Sequence, residues 1–167
     1  MRALIIYYSR NGENYFGGSI KNIKKGNTEV VAEKLHELTG ADLFKIEQVN
    51  PYSDNYKTCT EEAKKDKQND ARPELVSYPD VYEYDEIYFL YPNYWGTMPM
   101  AVFTLLDKVD LSEKTIYPLC TNEGSGMGSS LRDLKKLCPG SEIKDGLPIY
   151  GSEVYECDAD LKRWLGK

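Results

Sequence analysis

Apolar residues fall into short continuous runs separated by stretches with helical spacing, a pattern that predicts strands alternating with helices around a parallel sheet. Ala3-Leu4-Ile5-Ile6-Tyr7-Tyr8 is unbroken, as expected of a strand covered on both faces. A helix should start near Asn27 or Thr28, either of which can cap it, with Val31, Leu35 and Leu38 at helical spacing and Gly40 as terminator. Leu43-Phe44-Lys45-Ile46 reads as a partly polar edge strand, Tyr52 to Lys67 as a charged helix or helical loop, and Ala71 to Asp85 as a loop. Ile87-Tyr88-Phe89-Leu90-Tyr91 reads as a central strand. Thr97 can cap the following helix, with Pro99 in its first turn and Val102, Leu106 and Val109 on its inner face. Thr115 to Cys120 is a fourth strand in which Pro118 lacks a ladder donor, so a bulge is expected there. Leu131, Leu134 and Cys138 mark another helix, Leu147-Pro148-Ile149-Tyr150 a last edge strand, and Leu161, Trp164 and Leu165 a short closing helix.

Strands and helices in this order predict an α/β doubly wound five-stranded parallel sheet, strand order 2-1-3-4-5, as a single domain over residues 1–167. Ligands of such a sheet sit beyond the C-terminal ends of its strands. Residues 10–26 interrupt the pattern at that end, where a connection normally takes ~2–6 residues. Gly17-Gly18, between Tyr15-Phe16 and Ile20, has the character of a hairpin turn. The insertion is either functional or a surface decoration.

Charge narrows the partners. A net charge of −6 argues against nucleic acid and against an anionic membrane, both of which need a basic face. It admits a basic protein partner, although a mild acidic excess also serves plain solubility. The 4 cysteines form no CxxC pair and lack zinc-ligand spacing with a histidine. No signal-peptide pattern opens the chain and no apolar run reaches the ~20 residues of a membrane span. These features lead us to expect a cytoplasmic protein with reduced thiols.

Three predicted loops share one rim. The first offers Ser9, Asn27 and Thr28 around a helix N-terminus, where open amides favour an anion, although such residues are also ordinary caps. The second, after the third strand, places Tyr94 and Trp95 side by side in a turn. A flat heteroaromatic ring stacked on them would account for both; so would packing of one ring on a neighbouring loop. The third carries Gly124, Gly126 and Gly128, which let backbone approach a ligand closely. It lacks the position and downstream acid of a dinucleotide fingerprint.

At these residues the chain resembles the flavodoxin family, in its branch of small bacterial proteins. The carriers are Tyr7-Tyr8-Ser9-Arg10, Gly26-Asn27-Thr28-Glu29, Tyr94-Trp95-Gly96-Thr97-Met98-Pro99 and Glu123-Gly124-Ser125-Gly126-Met127-Gly128. The resemblance implies non-covalent flavin mononucleotide (FMN), with Ser9, Asn27 and Thr28 at its phosphate, Asn93, Tyr94, Trp95 and Gly96 along the ring, and Arg10 and Pro92 as further cofactor-binding residues. Thr121, Glu123, Gly124, Ser125 and Gly126 would contact the other ring edge. The family's compact phosphate loop is here split by residues 10–26.

The resemblance further implies an electron carrier working between a donor reductase and an acceptor protein, as a monomer or weak homodimer. The rival is an FMN-dependent NAD(P)H:quinone or nitro-compound reductase on the same fold, with the insertion roofing a substrate pocket or forming a dimer face. Other classes fit less well. A response-regulator receiver needs acids where Ser9 and Pro92 stand, a small cysteine phosphatase needs an arginine where Gly126 stands, and the single histidine, His36, lies mid-helix. Trp164 is expected to anchor the last helix, Cys120 to be a small core residue, and the Lys64-Lys65-Asp66-Lys67 cluster to be a solvated face.

Overall fold

Alternate residues of the two central strands feed two separate cores. In β1 (Ala3–Tyr7) and β5 (Glu86–Pro92), Leu4, Ile6, Ile87, Phe89 and Tyr91 face one side, while Ile5, Tyr7, Tyr88 and Leu90 face the other. This period of two is what a continuous apolar run produces when both faces are covered. The computed structural model describes residues 2–166. The first core is closed by α3 (Met100–Lys108) and α4 (Ser130–Leu137), with α2 (Tyr56–Gln68) against α3, and the second by α1 (Asn27–Thr39) and α5 (Asp158–Trp164).

The strand order is that of the expected doubly wound sheet. β4 (Asp42–Lys45) lies at one edge beside β1, followed by β5 and β6 (Thr115–Asn122), all parallel. The last position is split between β7 (Glu142–Ile143) and β8 (Leu147–Tyr150), both paired with β6. The apolar pattern revealed only the second of these pieces.

That split removes the expected bulge at Pro118. Pairing of β5 with β6 runs without interruption, Phe89 opposite Pro118. β7 pairs only as far as Ile116 and β8 starts at Leu119, so β6 has no partner on its outer side at Pro118. Thr121 turns its carbonyl to Asn93 on the β5 side, while Ile116 turns its own to Lys144 on the outer side. By alternation the Pro118 nitrogen faces outward, where no strand among the described residues pairs with it and a missing N–H costs nothing.

Helix starts differ from expectation by small, explicable amounts. The N-cap of α1 is Gly26, and the cap hydroxyl comes from Ser9, whose Oγ accepts the Glu29 amide at 3.0 Å. Asn27 and Thr28 therefore lie in the first turn. Thr97 does not cap α3 either; Pro99 occupies that place, and the Thr97 hydroxyl donates to Asp133 at 2.5 Å. Gly40 ends α1 in the left-handed conformation, as read from the sequence.

The 10–26 insertion is a two-stranded antiparallel hairpin, β2 (Gly12–Phe16) and β3 (Ser19–Ile23). Its turn is Gly17-Gly18 with φ of +64° and +98°, the paired left-handed geometry that a tight hairpin demands.

Candidate functional site

β1, β5 and β6 are adjacent and parallel, so the loops that follow them open at one rim. Tyr8 donates to the Leu90 carbonyl and Asn93 to that of Thr121, which carries the ladder one step beyond the strands and sets the loop origins side by side. Two adjoining cavities lie at this rim, an inner one of about 270 Å³ and an outer one of about 450 Å³. They share Arg10, Asn14, Tyr56, Asn93 and Tyr94.

At the corner of the inner cavity stands the first turn of α1. Its Glu29 amide is taken by Ser9, while the Asn27 and Thr28 amides have no protein partner among the described residues. Two such amides with the positive end of a helix dipole have the donors and the charge to hold an anion. The Thr28 hydroxyl is buried against that of Thr121 at 2.8 Å, joining the first turn of α1 to the end of β6. Gly151, just after β8, leaves room for the Asn27 amide group: a Cβ there would fall 2.4 Å from Asn27 Nδ2 and 2.9 Å from Glu123 Oε1.

The aromatic turn is folded tightly on itself. Tyr94 and Thr97 exchange backbone hydrogen bonds, with Trp95 at φ +55° and Gly96 at φ +86° between them. A left-handed tryptophan costs roughly 1–2 kcal/mol. Its anchors are on α2: the indole Nε1 donates to the Thr60 carbonyl at 2.8 Å, Lys67 donates to the Trp95 carbonyl, and the Lys64 ammonium lies 5.1 Å from the ring centroid. Lys64 and Lys67 are exposed, as expected of a solvated face, and from there they also reach the turn. Tyr94 instead packs inward, edge-on to Tyr8 with centroids 5.8 Å apart.

Asn93 stitches this turn to the glycine-rich loop. Its Nδ2 donates to the Gly126 carbonyl at 3.0 Å and its Oδ1 accepts the Gly96 amide at 2.9 Å. The Gly96 carbonyl accepts from both the amide and the hydroxyl of Ser129. Gly128, at φ +55°, is where the two loops touch, because a Cβ there would lie 2.2 Å from the Gly96 oxygen. The loop's glycines therefore serve contact between turns as well as any ligand.

Of the residues read from the sequence, Arg10, Asn27, Thr28, Pro92, Asn93, Tyr94, Thr121, Glu123 and Ser125 border the inner cavity. Trp95 borders the outer one. Ser9, Gly96, Gly124 and Gly126 border neither and act behind the wall. The Arg10 guanidinium is bonded to the carbonyls of Glu13, Ser53 and Asp54, tying the hairpin base to the segment before α2. Asn14, Tyr15, Tyr56 and Asn122 also line the inner cavity and were not singled out in the sequence. A hairpin turn at Gly17-Gly18 was the available signal for Asn14 and Tyr15; nothing in the α2 pattern marked Tyr56.

Burial sets the electrostatics. Desolvation pushes the Tyr94 hydroxyl well above its ordinary value, and that of Tyr56 upward, so neither is a ready acid. Desolvation likewise raises Glu123, although the amides of Gly17 and Ser152 donate to its carboxylate and pull the other way.

The sequence model of the family described as Flavodoxin matches residues 15–167. The chain belongs to the flavodoxin family. No curated protein matches it. Among solved structures, a Bacteroides eggerthii protein assigned as a flavoprotein is 26% identical, with 99% of this chain and 96% of that one covered and a TM-score of 0.76. A Lactobacillus acidophilus flavoprotein in complex with FMN is 18% identical, with 98% of each chain covered and a TM-score of 0.69. An NADPH-quinone reductase of P. pentosaceus is 11% identical, with 99% of this chain and 94% of that one covered and a TM-score of 0.56. The last two share the fold with this flavodoxin-family chain.

Proposed function

We propose that this flavodoxin-family protein holds FMN non-covalently in the cleft and carries electrons between a donor reductase and an acceptor protein. The observation that carries the reading is the meeting, in one inner cavity, of the open amides at Asn27 and Thr28 with the inward-packed Tyr94. An FMN complex of the same fold, the Lactobacillus protein, supports it.

The donor set fits the group. Asn27, Thr28 and the two free amides suit a phosphate, with Arg10 as the nearby cation. Asn93, Tyr94, Thr121 and Glu123 offer a flat face and polar edges for a heterocycle. Bound FMN would supply the redox chemistry. The chain's residues bind and orient: the α1 turn fixes the anionic end, Asn93 holds two loops at a set separation, and Tyr94 excludes water from one side. Glu123 and the net charge of −6 oppose extra negative charge in the cleft.

A carrier needs no proton-transfer group of its own, and the cleft is poor in them. His36 bonds to the Ala41 carbonyl at the far end of α1, and the Tyr56 and Tyr94 hydroxyls are raised by burial. A reductase remains the second reading, favoured by the roomier outer cavity beside Trp95. The test is an FMN titration of the purified protein followed by NAD(P)H consumption with a quinone. Tight binding with negligible turnover, unless a partner reductase is added, is the expected result. Fast turnover by the protein alone would replace the carrier reading, and failure to bind FMN would overturn both.

A further inference from the structure

Two tyrosine rings outside the residues read from the sequence as flavin contacts stand over the inner cavity. Tyr15 comes from β2, where it pairs with Ile20 across the hairpin, and Tyr56 is the first residue of α2. Their centroids are 6.4 Å apart and their planes differ by 31°. Both border the same space as Asn27, Thr28 and Tyr94.

We propose that Tyr15 and Tyr56 form a second aromatic wall, which covers the face of the flavin ring turned away from Tyr94, making the 12–23 hairpin a roof over the cofactor. This rests on the FMN reading above. The aromatic expected for that duty, Trp95, has its indole committed to Thr60 and Lys64 on α2. Tyr15 is 41% exposed and, among the described residues, has no aromatic neighbour except Tyr56, so a flat ligand would bury apolar surface that the protein leaves open.

Both rings are held in place from the hairpin. Glu13 Oε1 accepts the Tyr56 amide at 2.9 Å, so an acid on β2 satisfies an orphan donor at the start of α2. Arg10 binds the carbonyls of Ser53 and Asp54 just before that helix. At the other end Glu123 Oε1 accepts the Gly17 amide at 3.4 Å. The hairpin thus spans from α2 to the loop after β6, across the mouth of the inner cavity.

The experiment is FMN binding, read as quenching of FMN emission, together with access of iodide to the bound ring. Tyr15→Leu and Tyr56→Leu keep bulk without a flat face; Tyr15→Phe and Tyr56→Phe keep the ring. Each leucine variant is expected to raise the Kd on the order of 10-fold and to increase iodide quenching, while the phenylalanine variants match the parent. Tyr15 lies outside both cores, so Tyr15→Leu tests the wall even where the α2 variant is unstable. Parent-like Kd and iodide access in Tyr15→Leu, with the parent protein binding FMN, would overturn the roof and leave the functional reading intact. A parent protein that takes up no FMN overturns both.

Discussion

Gly26 lies against Ser9 so closely that a Cβ on the glycine would fall 2.1 Å from the Ser9 hydroxyl oxygen. The same Cβ would lie 2.7 Å from the Arg10 carbonyl. The residues at which the insertion leaves β1 and rejoins α1 are thus in contact, and the hairpin is added without opening the corner between Ser9 and the first turn of α1. Gly26→Ala has no room here although its φ of −62° is ordinary. The expected result is a loss of about 1–3 kcal/mol in urea unfolding and a weaker FMN complex, since Ser9 must leave the Glu29 amide. An unchanged midpoint would mean the two segments part freely.

Trp95 offers a test of backbone strain independent of any ligand. Trp95→Ala and Trp95→Gly both delete the indole and its bond to Thr60, but only glycine adopts φ +55° freely. The glycine variant should exceed the alanine variant in stability by about 1 kcal/mol, the reverse of their usual order. Equal midpoints in denaturant would remove the strain argument.

Glu123 gives a pH dependence with a definite sign. Desolvation, with help from Glu153, raises its folded-state value above that of the unfolded chain, against the pull of the Gly17 and Ser152 amides. The native state therefore keeps the proton longer, and stability falls as pH rises through that interval. Glu123→Gln removes the penalty and retains an oxygen for the Gly17 amide. Its melting temperature should exceed the parent's at neutral pH, and the gap should close below pH ~4, where Glu123 is protonated in the folded and the unfolded chain alike. A gap that persists in acid would assign the effect to something other than ionisation.

The cysteines should be inert. Cys59, Cys120, Cys138 and Cys157 are all free and buried. Burial pushes the Cys120 thiol up to about 12 and those of Cys138 and Cys157 to about 11. Reactive thiolate is then scarce at pH ~8. A thiol reagent should label none of the four within minutes in the native protein and all of them in denaturant; rapid native labelling of any one would contradict its placement.

Continuous apolar runs made β1, β5 and β6 legible, because strands covered on both faces carry their own signature. The Gly17-Gly18 turn was legible because two consecutive left-handed residues leave glycine almost alone as a choice. What the pattern did not carry was position set by distant partners. Thr97 has the chemistry of a cap, yet Asp133 on α4 claims its hydroxyl. Lys64 and Lys67 are solvated as the pattern suggests, but their contacts with Trp95 depend on a turn brought to them from another segment. Tyr56 looks like any first-turn residue, and only the hairpin makes it part of the cleft.

Pro118 joins both lessons, since its missing donor was read correctly and its remedy was not. Pro118→Ala supplies an N–H that faces the break between β7 and β8, where no strand among the described residues pairs with it. It should destabilise by less than about 1 kcal/mol, through the freer unfolded chain alone. A larger drop in thermal melts would place the nitrogen on the paired side.

The same break shapes how the molecule meets copies of itself. A sheet margin made of two residues, a gap at Lys144-Asp145-Gly146, and four residues including Pro148 presents no long row of donors and acceptors in step. Strand addition from a second molecule would find too few consecutive sites to zip against, so concentrated protein is guarded against fibre-like growth along this margin.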